Sequence, residues 1–167
     1  LTIFLSIAVY PQAIQSIYTD LSEKKCRTIE TEPIYRGECA GVANYKLEVI
    51  EGDARMTLDV IAPNGKKSEL ALDQNVSSAF SSLGEKAEWR VKRQGKKVTP
   101  IALIVRFEIS EPDHPTNPGN KSFLVVIKIK RDSACITDVV KPSKNQNLTA
   151  RKNADNSEKK PCLATNK

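Results

Sequence analysis

The 167 residues hold one histidine, one tryptophan and one methionine, and aromatic residues make up only 5%. That scarcity closes several chemical routes. A lone histidine, His114, cannot build an H-E-x-x-H zinc site, and no second histidine is there to share a metal. Neither a G-x-S-x-G nucleophile elbow nor a glycine-rich phosphate loop occurs. The cysteines show no C-x-x-C spacing, which removes the usual dithiol and zinc-ribbon chemistries. Basic residues are not interleaved with exposed aromatics, so nucleic acid is not the expected partner. No apolar run reaches the ~20 residues of a bilayer-spanning helix. Neither sign of charge dominates: 26 Lys and Arg stand against 20 Asp and Glu, and the net +6 gives a modest preference for acidic partners. His114 itself, between Asp113 and Pro115, reads as a solvated loop residue. No metal or cofactor is called for.

What is present suits one globular domain with a real core: 40% of residues are hydrophobic and 28% charged. Leu1 to Ile14, LTIFLSIAVYPQAI, is uncharged and mostly aliphatic. It has the length of a secretory h-region, with Pro11 ahead of a cleavage zone at about Ala13 to Ser16. No basic lead-in precedes it and the first residue is Leu, which fits a truncated start or a non-standard start codon. The expected organisation is a signal peptide over 1–16, a single β-rich domain over 17–141, and a polar, mobile tail over 142–167 tethered by Cys162. Export places the chain in the periplasm or outside the cell, with no membrane span once the signal is removed.

In an oxidising compartment four cysteines imply two disulfides. Three connectivities exist. Cys26–Cys39 with Cys135–Cys162 is favoured, because each of these pairs clips a polar flank near one end of the chain.

The periodicity is that of strands. Tyr45, Leu47 and Val49 alternate with Lys46 and Glu48, Gly52-Asp53 suits a turn, and Met56, Leu58 and Val60 continue on the return. Asn64-Gly65 marks a second turn, leading into a short strand near Ser68 to Leu72. Leu72, Val76, Ala79, Phe80 and Leu83 then fit one stripe of a short helix, with Asp73 at its start and Gly84 as its left-handed stop. Beyond it Ala87, Trp89 and Val91 share an inward face, and a turn at Gln94-Gly95 sets Lys92 opposite Lys97 and Val91 opposite Val98. Pro100 should interrupt that ladder. Ile101 to Val105 and Phe123 to Ile127 are apolar on both faces and should be central strands, pairing Val105 near Val125 and Leu103 near Ile127. CITDVV, from Cys135, reads as a last strand. The fold class is therefore mainly β, an antiparallel sandwich or partly open barrel with one short packed helix.

Three surfaces could carry function. Arg90, Lys92, Arg93, Lys96 and Lys97 form a candidate anion-binding patch, set against the plainer reading of a solvated strand face. Ser81, Ser82 and Gly84 form a candidate recognition loop. Glu48, Glu51, Asp53 and Asp59 could supply a carboxylate pair for glycoside hydrolysis, although strand faces and turns are where solvated acids ordinarily sit.

The strings YTDLSEKKC (18–26), FSSLGEKAEWR (80–90), PIALIVRF (100–107), CITD (135–138) and PCL (161–163) together resemble a family of small exported bacterial proteins with no assigned biochemical function. The resemblance implies a bacterial, exported origin and structural importance for the cysteines, and it brings no catalytic residues. SSLGEK (81–86) is also loosely similar to the Ser/Gly loop of periplasmic lysozyme inhibitors, small cysteine-stapled barrels; here the basic neighbours would repel a basic lysozyme. The expectation is a non-catalytic binding or structural protein of the envelope, whose partner would be an envelope protein or an anionic cell-wall polymer. The alternatives are an inhibitor or recognition module for a secreted enzyme such as lysozyme, and a carboxylate-based cell-wall hydrolase.

Overall fold

In the computed structural model, which describes residues 12–110 and 120–165, alternation of apolar and polar side chains builds nearly everything. The first eleven residues of the expected export segment and His114 lie outside the described residues. The strands are β1 (Ile14–Asp20), β2 (Arg27–Glu30), β3 (Tyr35–Ala40), β4 (Lys46–Gly52), β5 (Arg55–Ile61), β6 (Lys67–Glu69), β7 (Phe80–Gln94), β8 (Lys97–Ser110), β9 (Asn120–Ile129) and β10 (Ala134–Val140). They form two five-stranded antiparallel sheets, one ordered β1-β7-β8-β9-β10 and the other a meander from β2 to β6. Both sheets keep their edges, so the architecture is a sandwich and not a closed barrel.

Leu47, Val49, Leu58 and Val60 of the meander face Trp89, Leu103, Val105 and Val125 of the first sheet, and all are almost fully buried. Burial of each such side chain contributes roughly 1.5–3 kcal/mol. Trp89 is an interior residue, its indole N–H donating to Thr19 Oγ1 at 2.8 Å. β8 and β9 pair in the expected register, Val105 with Val125 and Leu103 with Ile127. Their second apolar face is covered too. Ala102, Ile104, Leu124 and Val126 meet Ala150 and Ala154 of a helix, α2 (Gln146–Asp155), in a separate small core.

That helix corrects the expectation of a mobile tail. It has few large apolar residues, but Gln146, Ala150 and Ala154 recur every fourth position and are all buried. The small alanines let the helix lie close on the sheet. Its Gln146 amide donates to the carbonyls of Ser122 (2.7 Å) and Val140 (3.0 Å), securing it to β9 and β10. A short 3-10 helix (Ser157–Lys159) follows. The chain then runs to Cys162, bonded to Cys135, and the Leu163 N–H donates to the Ile136 carbonyl at 2.8 Å. The other disulfide joins Cys26 to Cys39, so both expected pairs are present.

The expected helix over 72–83 is a second correction. Only Leu72–Asn75 (α1) is helical, and Phe80 to Leu83 pair with β8 as the beginning of β7. Gly84 is therefore a strand residue at a register shift, not a helix stop. A Cβ there would lie 2.9 Å from Arg106 Cβ, so the close approach of β7 and β8 requires glycine. Two turns also sit one residue from their expected places. The β4–β5 turn is Asp53-Ala54, both at positive φ (51° and 55°), the conformation of a type I′ turn. The β7–β8 turn is Gly95-Lys96, so Lys92 pairs with Thr99 and not Lys97, and Val91 pairs with Pro100 and not Val98. The ladder skips Ile101 beside Pro100, which relieves the missing proline N–H by a bulge.

Candidate functional site

Sheet geometry gathers cations at one end of the sandwich. On β7 and β8, Lys92 and Thr99 lie opposite each other, and Lys97 follows on the same face two residues from Thr99. β9 brings Lys128 to that face, since Ala102 of β8 pairs with Lys128, and Lys130 follows just past the end of the strand. Together with Arg131 they line a groove of about 700 Å³. Its apolar surface comes from Val98, Pro100, Ile101 and Ile129, and among the described residues Glu158 of the C-terminal segment supplies its one carboxylate.

The charges are unequally matched. Lys92 reaches Glu158 at 3.2 Å. Lys97, Lys130 and Arg131 are exposed and pair with no carboxylate among the described residues. Lys128 is only 6% exposed, and its ammonium donates to the backbone carbonyl of Lys160. A buried ammonium held by a neutral acceptor alone is costly, and the three open cations beside it add to the positive potential. Tyr45 fixes the wall. Its hydroxyl donates to the carbonyls of Lys130 (2.8 Å) and Arg131 (3.2 Å), and its ring packs against Trp89 with centroids 6.0 Å apart. Burial, helped by Asp132, holds the Tyr45 phenol above its ordinary pKa, so it stays protonated as a donor.

The structure separates the candidate basic patch. Lys92 and Lys97 belong to the groove. Lys96 stands at the exposed turn, and Arg93 reaches Gln15 Oε1 at 3.4 Å. Arg90 turns under α2, where it grips both oxygens of Asp155 (2.7 and 2.9 Å) and donates to Ser16 Oγ. Glu88 joins this layer by accepting from Arg151 Nε at 2.6 Å and from Ser16 Oγ at 2.5 Å. Burial works to raise the Glu88 pKa, but the Arg151 and Ser16 bonds outweigh it and hold the carboxyl below its usual range. These residues bind the helix to the sheet.

Ser81, Ser82 and Gly84 lie within β7, not in a protruding loop, and Ser81 is buried with its hydroxyl near the Met56 backbone. Of the four candidate acids, Glu48 and Asp59 are brought together as direct cross-strand partners on the outer face of the meander. Glu51 is exposed at the end of β4, and Asp53 sits in the turn paired with Arg55. Burial would raise Glu48, but Lys67 (2.7 Å) and Arg36 (2.6 Å) keep it ionised with a lowered pKa. Asp59 goes the other way: burial, reinforced by the charges of Glu48 and Glu69, raises it to about 6 against the pull of the Leu70 N–H and Lys67. Both carboxylates are almost fully buried, and Asp59 accepts the Leu70 N–H where β6 peels away. Among the described residues no group of three or more His, Cys, Asp or Glu could hold a metal ion.

Lys128, Lys130 and Arg131 were missed at the level of sequence. The signal is the string KIKR (128–131), whose alternation puts two lysines on one face where an apolar strand ends. No protein-family model, no curated protein and no solved structure matches this chain.

Proposed function

We propose that the protein is an exported, disulfide-stabilised, non-catalytic binding protein of the bacterial envelope, and that it engages an anionic envelope polymer in the basic groove. The observation that carries this reading is the set of three exposed cations, Lys97, Lys130 and Arg131, none of them in an ion pair with a carboxylate among the described residues, around a groove with apolar side chains in its lining. The two disulfides fit an oxidising compartment. No helix among the described residues is long and apolar enough to cross a membrane. The β1 ladder begins at Ile14, opposite Lys92, so an export cut after Ala13 leaves the strand whole. A cut after Ser16 would remove a hydroxyl that bridges Arg90 and Glu88.

The rival readings have less support. A lysozyme-type inhibitor needs a projecting loop, and 81–84 are strand. A hydrolase needs two acids open to a cleft, and Glu48 and Asp59 are buried in structural bonds. Co-sedimentation of the full chain with purified envelope polymer at low and high salt tests the proposal. Binding that weakens with salt, and with Lys97→Ala, Lys130→Ala and Arg131→Ala combined, is expected. Undiminished binding by that triple variant would refute it.

A further inference from the structure

Resting on that reading, we infer that the groove takes an extended phosphodiester polymer and that Lys128 anchors one of its phosphates beneath the C-terminal segment.

Three features of the groove point to this chemistry. The first is the state of Lys128. An ammonium has three protons to donate, and here a single carbonyl, that of Lys160, receives one of them. The residue is 94% removed from solvent (6% exposed) yet lines an open groove, and no carboxylate reaches it among the described residues. An anionic oxygen entering the groove would supply both the missing acceptors and the missing charge.

The second is the kind of cation. Four of the five basic residues lining the groove are lysines and one is arginine. Ammonium groups are compact point charges that can approach a tetrahedral phosphate from any side, whereas a planar carboxylate is best matched by a guanidinium fork. The guanidiniums that do grip carboxylates bidentately in this protein, such as Arg90 on Asp155, lie elsewhere.

The third is spacing and lining. Lys92 on β7 and Lys128 on β9 flank β8, so their strands stand about 10 Å apart, two ladder spacings. A row of cations over that distance suits successive charges on one chain better than a single ion. The lining also includes aliphatic side chains and Pro100, which suit the methylene groups linking phosphates. Among the described residues the one aromatic lining the groove, Tyr45, is tied inward to Lys130 and Arg131, so it is not free to stack on a base.

The test is calorimetric titration of the full chain at ~50 mM salt with three oligomers of matched charge, oligo(glycerol phosphate), polyglutamate and a thymidine oligonucleotide, and with orthophosphate as the single-ion control. The glycerol phosphate oligomer should bind about tenfold more tightly than polyglutamate or the oligonucleotide, and orthophosphate at least a hundredfold more weakly. Lys128→Met preserves the packing of the stem and should weaken oligomer binding about tenfold without lowering the melting temperature. Lys97→Ala with Lys130→Ala, both on the surface, should reduce the salt slope by about one per lysine. Equal affinity for polyglutamate would overturn the phosphate assignment while leaving the anionic groove in place. Tighter binding of the oligonucleotide would also overturn it, since the groove would then be reading bases. Failure of every polyanion to bind would overturn both this inference and the function it rests on.

Discussion

The Tyr45 hydroxyl donates to the Lys130 carbonyl at 2.8 Å, joining the turn before β4 to the end of β9 and so linking the two sheets at the mouth of the basic groove. The same hydroxyl reaches the Arg131 carbonyl, so one side chain of the meander sets the backbone that carries two groove cations. Tyr45→Phe keeps the ring on Trp89 and removes only the hydroxyl's bonds to these two carbonyls. Stability should fall by about 1–2 kcal/mol. Affinity for an anionic polymer should fall about fivefold as the 130–131 backbone loosens. Thermal melts and titration check both, and unchanged affinity would show that the wall does not depend on Tyr45.

Glu88 sits between Arg151 and Ser16 at the seam of α2 and the first sheet. Its folded pKa is lowered, so its contribution to stability is present above the ordinary carboxylate pKa and is lost as pH falls through the folded value. Glu88→Gln leaves Arg151 and Arg90 short of a charge and should cost about 1–3 kcal/mol at neutral pH. Amide exchange of 146–155 should rise ahead of the β8 and β9 core. Protection of α2 equal to wild type would contradict this role.

Asp59 has the opposite sign. Its folded pKa is raised to about 6, so its contribution is full below the unfolded value near 3.8 and is lost as pH rises through about 6. Asp59→Asn can still accept the Leu70 N–H but carries no charge to bury. The variant should match wild type near pH 4 and exceed it at pH 7 by on the order of 1 kcal/mol, well under the full linkage value because Lys67 and nearby solvent screen the group. Melting curves from pH 4 to 7 decide it, and a variant less stable at pH 7 would reverse the assignment.

Gly84 faces Arg106 across the register shift in the β7–β8 pair. Gly84→Ala should destabilise by about 1–3 kcal/mol through overpacking. The companion Gly65→Ala, at a turn with positive φ and open space, strains only the backbone and should cost about 1 kcal/mol. A Gly84→Ala protein as stable as wild type would mean the strands part there without cost.

Where local pattern and tertiary pairing agree, the sequence was legible. The doubly apolar stretches of β8 and β9 gave their register to the residue, and Trp89 followed from alternation. Both disulfides followed from pairing the cysteines that clip a polar flank near each end of the chain. Phe80 to Leu83 misled because their spacing serves a helix stripe as well as a strand, and only pairing with Phe107 to Ser110 decides between them. α2 was hidden because its contact face is alanine and glutamine, small or polar, and its hold comes from Arg90, Glu88 and Gln146 on partners far away in sequence. Yet β8 and β9, apolar on both sides, already required a second cover. The groove was half visible: Lys92 and Lys97 lay in the densest basic run, while Lys128, Lys130 and Arg131 joined them only through the β8–β9 ladder.

The most direct test of the groove as the working surface is residue-resolved: amide chemical shifts of the full chain titrated with oligo(glycerol phosphate). Shifts should concentrate at 97–101 and 128–131, with smaller changes at 158–160 and none on the meander's outer face at 48 and 59. Shifts centred on 81–84 or on the Glu48–Asp59 face, with 128–131 silent, would contradict the account.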